Sequence, residues 1–385
     1  FRADWTRDLR REWRAAFTEF WRAFNRSFYD SNFHGRDWAA IKTRYEKLLP
    51  SIGHRNEFSE LLETMVGELE ASHTETSPAG GNPGSQSSAH LGFTYDYDWQ
   101  GPGIRVREVP TGSPGSFART RIRPGEYVMA INGKDIRLDE ALYRDVLNEQ
   151  VGREVTLLVS ATPSKSGARE VKYRALSGGA FRAIQYRNRI EARRAYVESK
   201  SNGALTYVHI QGMGQGNFDR FNREVWLASQ GRKGVIIDVR DNGGGNISDR
   251  LIDILERRPH SFYRSRDDVA ELAPAQSWNL PTVVMHSQTS FSNAEMFPYA
   301  MRQSGLAKLV GMPTPGYVIW TYGLGLVDGT GARMPTAGVF RLDGSPLENQ
   351  GQQPDFKVDL TVEDFLAGRD PQLDKAIEVL KSMGK

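Results

Sequence analysis

The sequence predicts a multidomain α+β protein with an N-terminal helical domain, a small β domain and a C-terminal α/β domain. Three observations predict it. Aromatic residues recur at helical spacing over the first 28 residues. A Gly-, Ser- and Pro-rich stretch is followed by a segment with strand alternation and turn dipeptides. From residue 180 onward, short apolar strands alternate with helical segments. The chain has 385 residues, and roughly two to three domains is the expectation for that length.

Composition removes several function classes. Apolar residues make up 39% and charged residues 25%, as in ordinary soluble globular chains, which argues against a disordered or fibrous protein. The apolar runs, such as residues 234–239, are far short of the ~20 residues that cross a bilayer, so membrane insertion is not expected. Basic residues number 50 and acidic residues 47, interspersed, and the net charge of +3 gives no footprint for nucleic acid. There is no cysteine, which excludes disulfides, thiolate catalysis and Cys-containing metal sites. No metal or organic cofactor is implied. The first residue is Phe1, as in a processed chain or a piece of a longer one. The compartment stays open: cytoplasmic or, after loss of a signal peptide, periplasmic or secreted.

Each element then follows in order. Trp5, Leu9, Trp13, Phe17, Phe20, Trp21, Phe24 and Phe28 fall three and four residues apart, predicting an amphipathic helix with an aromatic core stripe. A second helix is expected over residues 38–48, ended by Pro50. A third begins at Asn56 as N-cap, presents Phe58, Leu61, Leu62, Met65, Val66 and Leu69 on one face, and delivers the chain to Ser72 and His73. The helical domain therefore spans 1–75. Residues 76–89 read as a flexible linker. In residues 90–178, Ile104 to Val109 alternates as a half-buried strand. Tyr127 to Ile131 is an apolar strand ending in the hairpin dipeptide Asn132-Gly133. A helix over 138–147 and a strand over 154–160 complete the segment. This order, with Gly112-Ser113-Pro114, Pro124-Gly125-Glu126 and Asn132-Gly133-Lys134, resembles a PDZ domain of the bacterial protease type. Peptide capture by strand addition is what that resemblance implies; a spacer domain is the alternative. Residues 180–385 carry strands at 204–210, 234–239, 281–285 and 306–310, with helices at 218–229, 247–257 and 294–304.

Two strand ends carry the candidate chemistry. Asp238-Val239-Arg240-Asp241-Asn242-Gly243-Gly244-Gly245-Asn246 leads a strand through three glycines into a helix. Such a loop offers bare backbone N–H groups to an anion or an oxyanion. No phosphate-binding motif accompanies it. The next strand ends in the hydroxyl-rich turn His286-Ser287-Gln288-Thr289-Ser290-Phe291-Ser292 before a helix, a position suited to a nucleophile beside a helix N-terminus. A helix N-cap is the alternative reading of any one of these serines. Seven histidines are available as a base (His34, His54, His73, His90, His209, His260 and His286), and spacing does not choose among them.

Several motifs together resemble tricorn protease and its relatives among the carboxy-terminal processing proteases. They are Asp238 to Gly245, Ser292-x-x-Glu295-Met296-Phe297, Leu347-Glu348-Asn349-x-Gly351-x-x-Pro354-Asp355, and, near the front, Gly67-Glu68-Leu69-x-x-Ser72-His73. The resemblance spans the whole chain. It implies a C-terminal catalytic domain of the crotonase/ClpP-like α/β type over 180–385. It also implies a serine endo- or oligopeptidase acting on peptides or unfolded proteins. Ser292 would be the nucleophile and His73 the general base, oriented by Ser72 and Glu348. The oxyanion hole would comprise Asn293 with Gly244 or Gly245. A substrate-binding acidic residue, Asp267 or Asp268, would favour basic side chains. Homo-oligomerisation is a further implication. Related enzymes with a catalytic lysine place it where this chain has Tyr317, and no lysine lies between Lys308 and Lys357. Proton transfer then falls to His73. The family's β-propeller domains have no counterpart in this sequence. The alternatives are a degenerate PDZ-type peptide-binding protein and another acyl-transfer hydrolase on a crotonase-like fold.

Overall fold

The computed structural model describes residues 6–80, 87–266 and 270–383. Contacts divide the chain into two compact units, one of Phe1–Gly81 with Tyr196–Lys385 and one of Asn82–Ala195.

The first unit opens with helix α1 (Leu9–Ser27). Asp8 caps it by accepting from the Arg11 N–H at 3.1 Å. The expected stripe is its inner face: Trp13, Phe17, Phe20, Phe24 and the following Phe28 are buried. Leu9 is exposed, Trp21 is partly buried and Trp5 lies outside the described residues. Helix α2 (Trp38–Glu46) is capped by Asp37. Helix α3 (Arg55–Gly67) starts two residues earlier than the sequence indicates. His54, not Asn56, is its N-cap, because the His54 ring accepts from the Asn56 N–H and Glu57 accepts from the His54 N–H. These helices do not close their core alone. Leu326, Ala332 and Met334, far along the chain, belong to the same buried cluster. Removing the helices would therefore strip cover from a core shared with the C-terminal half. Strand β1 (Thr76–Ser77) corrects the start of the expected linker, for it pairs antiparallel with Ala332 and Gly331. Part of that linker, residues 81–86, lies outside the described residues.

The named strands of the second unit all pair antiparallel. Strands β2 (Ala89–His90), β3 (Thr94–Tyr95), β4 (Ile104–Glu108), β5 (Tyr127–Ile131), β6 (Lys134–Asp135), β7 (Glu154–Ser160), β8 (Arg169–Arg174) and β9 (Leu176–Ser177) form it. The main sheet has the order β3-β4-β5-β7-β8, with β6 on β5 and β2 on β9. Asn132 and Gly133 both take positive φ in the β5–β6 turn, as a tight hairpin requires. The expected helix over 138–147 is a wide π-type turn at Leu142–Leu147, closed by the Asn148 N–H on the Tyr143 carbonyl.

Helix α4 (Gly178–Lys200), which the sequence reading did not place, leads to the sheet that carries the site. Strand β10 (Leu205–His209), α5 (Gln215–Ser229), β11 (Gly234–Asp238), α6 (Ser248–Leu255), the short pair β12 (Ser261–Tyr263) and β13 (Glu271–Ala273), and β14 (Thr282–His286) follow. Next come α7 (Asn293–Gln303), β15 (Lys308–Gly311), the hairpin β16 (Ile319–Gly325) and β17 (Gly331–Gly338), β18 (Phe356–Lys357), α8 (Val362–Leu366) and α9 (Pro371–Met383). The sheet order is β10-β11-β14-β15-β18, and every pairing is parallel. Strands β10, β11 and β14 are buried at every position, as expected of a parallel sheet covered on both faces. Both candidate loops leave the carboxyl ends of adjacent strands, β11 and β14, where ligands gather in such sheets.

A buried charge network ties the last helix to β11. Arg240 is 4% exposed and binds Asp238 at 2.8 Å, Asp370 at 2.9 Å and Gln372 at 2.8 Å, while the Tyr207 hydroxyl donates to Asp238 at 2.7 Å. Arg240→Ala leaves Asp238 buried without its cation. We expect a loss of ~3–5 kcal/mol in denaturant unfolding. Two histidines, the buried His286 and the half-buried His90, stay neutral at pH 7: desolvation lowers both from 6.5 to about 4. Their folded values lie below the unfolded one, so the unfolded chain binds more protons between pH 6.5 and 4, and stability falls as pH falls through that window. His286→Leu should reduce the slope of stability against pH there by one proton, measured by thermal melts at stepped pH.

Candidate functional site

Three of the residues singled out by the sequence, Ser72, His73 and Glu348, meet in the first unit. The Ser72 hydroxyl lies 2.7 Å from His73 Nδ1 and 3.2 Å from Glu348 Oε2, and the Ser72 N–H donates to Glu348 Oε1 at 2.8 Å. Glu348 is 3% exposed and also accepts from the Val318 N–H at 2.7 Å. The arrangement of protons that satisfies every group has His73 Nδ1–H donating to Ser72 Oγ and the Ser72 O–H donating to Glu348. That leaves the Nε2 lone pair of His73 free to accept a proton. His73 itself is held at φ 60°, in the left-handed region that a non-glycine residue rarely occupies. Burial, and then the Arg333 charge, lower its pKa below the ordinary 6.5, against a smaller upward pull from Glu75. The imidazole is therefore neutral at pH 7.

Ser292 sits at the sharp turn between β14 and α7, with φ 55° and ψ −118°. Strained serines of this kind occur where a hydroxyl is presented at the end of a strand. The turn is pinned from three sides. The Phe291 N–H donates to the Asn242 carbonyl at 2.9 Å. The Asn293 side chain accepts from the Ile247 and Ser248 N–H groups at 2.8 Å, capping α6. The Ser292 N–H donates to Glu295 Oε1 at 3.0 Å. Among the described residues no hydrogen bond joins Ser292 to His73; the two belong to neighbouring networks.

Glu295 connects those networks, and the sequence reading assigned it no role. It is fully buried and accepts from four donors: the Ser292, Gly316 and Tyr317 N–H groups at 3.0, 2.7 and 2.7 Å, and the Thr314 hydroxyl at 2.5 Å. Burial raises its pKa while the four hydrogen bonds oppose the rise. The next amide, Val318, goes to Glu348. Three consecutive N–H groups thus bridge the carboxylate behind Ser292 and the carboxylate behind His73. The Tyr317 ring lies tilted against Phe291 with centroids 5.5 Å apart, and, being exposed, leaves only its backbone to this bridge.

The glycine loop closes against the turn. A Cβ on Gly244 would stand 2.7 Å from the Ser292 Cβ, and Gly244 has φ 90°, so glycine is required there for both reasons. Its N–H is committed to the Asn242 side chain at 2.9 Å. Gly245 lies opposite Met213 in a parallel bridge, flanked by the Met213 N–H on Gly244 and the Asn246 N–H on Met213. Its own N–H therefore points away from Met213. A cavity of about 400 Å³ opens here, lined by Gly244, Gly245, Ser292, Trp320 and Arg333 among others. Asp267 and Asp268 lie outside the described residues. Among the described residues no cluster of His, Asp and Glu suits a metal, and no helix is long and apolar enough to cross a membrane.

Comparison with known proteins fits this geometry. Residues 204–358 match peptidase family S41, and residues 9–67 match the tricorn protease C1 domain. A putative tricorn-like protease C-terminal subunit of Sulfurisphaera tokodaii is 30% identical over 97% of this chain and 43% of its own length. The tricorn protease of Thermoplasma acidophilum is 27% identical over 97% of this chain and 35% of its own. The crystal structure of the tricorn protease superposes with a TM-score of 0.83 at 25% identity, covering 98% of this chain and 37% of that one. The chain thus spans less than half the length of these relatives. The chain thus joins a segment that matches family S41 to one that matches the tricorn protease C1 domain, on a fold shared with the tricorn protease over 98% of its length.

Proposed function

We propose that the chain hydrolyses peptide bonds through an acyl-enzyme on Ser292, with His73 as general base and acid and with Ser72 and Glu348 orienting it. The observation that carries this reading is the hydrogen-bonded series His73–Ser72–Glu348. With Nδ1–H donated to Ser72 Oγ, Nε2 is the unprotonated nitrogen, and the Glu348 carboxylate would answer the imidazolium charge through Ser72. In the reaction Ser292 Oγ attacks the carbonyl carbon as its proton passes to His73 Nε2. The proton then goes to the leaving amine as the C–N bond breaks. Water, deprotonated by His73, attacks the ester, and Ser292 recovers its proton as the C–O bond breaks. The oxyanion is met by the Asn293 N–H at the start of α7 and by a glycine of the loop. The engagement of the Gly244 N–H by Asn242 favours Gly245 for that part. The parallel sheet of the first unit is read as the crotonase/ClpP-like catalytic domain, carried with the helical segment 1–75, and residues 90–178 as a PDZ-like domain that captures extended peptide. Peptides or unfolded proteins are the substrates, and assembly into a homo-oligomer is part of the same reading.

The first test is intact-mass labelling with a fluorophosphonate. One label on the wild type, absent from Ser292→Ala and from His73→Ala, is the expected result. A folded wild-type protein that takes no label would overturn the peptidase reading in favour of peptide binding alone. Glu348→Gln removes the charge behind Ser72, and a fall in kcat of roughly 10²- to 10⁴-fold is expected with a folded protein. The acid limb of kcat/KM should have its midpoint below 6.5, because His73 acts neutral and burial depresses its pKa. A midpoint above 6.5 would remove His73 from the role.

A further inference from the structure

Among the described residues, Arg333 is the one charged residue in the lining of the cavity beside Ser292. The other lining groups include Met213, the loop glycines, Thr321 and the half-exposed indole of Trp320. Arg333 lies on β17, and its own N–H donates to the Glu75 carbonyl at 2.9 Å, two residues after His73. The base of the side chain is thus fixed to the segment that carries the candidate general base. The guanidinium is aimed by two contacts, Nη2 to the Thr321 hydroxyl at 3.0 Å and Nη1 to the Glu75 carboxylate at 3.3 Å. Five N–H groups are available on a guanidinium, so three are left for a ligand. Glu75 does not cancel the charge, since its side chain is 61% exposed and that of Arg333 46% exposed, and exposed pairs of this kind are weak.

We propose that Arg333 makes this cavity a carboxylate-binding subsite, so that peptides with an acidic side chain or a free C-terminal carboxylate next to the cleaved bond are preferred. The proposal rests on the reading of Ser292 as nucleophile, which places the cavity beside the reacting carbonyl. Its chemistry follows from the lining. A guanidinium matches a carboxylate by two parallel hydrogen bonds. The glycine backbone beside it adds no negative side chain, and the Trp320 indole covers the apolar stem of a Glu or Asp. Among the described residues the lining holds no carboxylate to receive a Lys or Arg side chain. Arg333 acts here as a specificity residue, holding substrate and taking no part in proton transfer.

The experiment uses the whole chain and a panel of heptapeptides. Glu is compared with Gln at each position flanking the cleaved bond, and a free C-terminal acid with its amide, with cleavage followed by mass spectrometry. A Glu-to-Gln or acid-to-amide ratio in kcat/KM of about tenfold or more, at one position, is the expected result. Preference in the Glu arm identifies a side chain as the source, and preference in the acid arm identifies the terminus. The ratio should collapse toward one in Arg333→Gln and persist in part in Arg333→Lys. Cleavage by the wild type without discrimination at any position would overturn the proposal and leave the peptidase reading standing. An undiminished ratio in a folded Arg333→Gln would overturn it as well. Binding of the same peptides to Ser292→Ala, by fluorescence anisotropy, gives a ratio independent of turnover. Discrimination there supports the subsite even if the wild type takes no fluorophosphonate, and its absence counts against the subsite whatever the labelling shows.

Discussion

Two buried carboxylates, Glu295 and Glu348, hold the site together through the backbone of a single loop. Glu295 is sequestered with Ser292, and Glu348 with Ser72 and His73. The amides of Gly316 and Tyr317 turn to the first, and that of Val318 turns to the second. A buried carboxylate is costly unless hydrogen bonds satisfy it, so the loop has one conformation that meets both demands. The constraint reaches further. Thr314 donates to Glu295 while accepting from the Gln352 N–H at 2.7 Å, and the Asn349 N–H donates to the Gly316 carbonyl at 2.8 Å. The segment bearing Glu348 is therefore laced onto the loop it helps to fix.

The parallel sheet supplies the rigid frame for this arrangement. Its two central strand ends place the glycine loop and the Ser292 turn side by side. Asn242 and Asn293 stitch the loops to each other and to α6. Arg240, two residues past the end of the strand, draws α9 against the same edge through Asp370 and Gln372. Buried polar groups do here what apolar packing alone does not, since they specify one register for loops that carry little side-chain volume. The hairpin β16–β17 has two duties. Its inner residues complete the core of the N-terminal helices, and its other residues, Trp320, Thr321 and Arg333, line the cavity beside Ser292. Helical packing and cavity shape are thus coupled through one element.

Much of this was legible in the amino-acid order, for reasons of range. The α1 stripe from Trp13 to Phe28 is readable because helical periodicity is local. The turn at Asn132-Gly133 announces itself because few residues tolerate positive φ. The alternation of strands and helices after α4, and the glycine run after Asp238, mark a parallel sheet and a close backbone approach in the same local way. The start of α3 was misplaced because a His side chain and a Glu three residues on can satisfy the first amides as an Asn does. The strand at Thr76–Ser77 was missed because its partner is a hairpin more than 250 residues away.

The sequence by itself determined which residues were available: a serine at a strand-to-helix turn, a Ser-His pair after a helix, three glycines and a distant Glu-Asn. Only the tertiary structure decided how they are held. Ser72 and Glu348 are separated by 276 positions, and nothing short-range records their contact. The partners of Glu295 are three backbone amides and one hydroxyl, and a backbone amide has no side-chain signature to read. Arg333 looks like any surface arginine in a polar stretch until β17 folds back beside β1 and brings its charge to the cavity next to Ser292. Periodicity and turn chemistry act over a few residues, whereas charge placement in a site is set by which distant segments the core brings together.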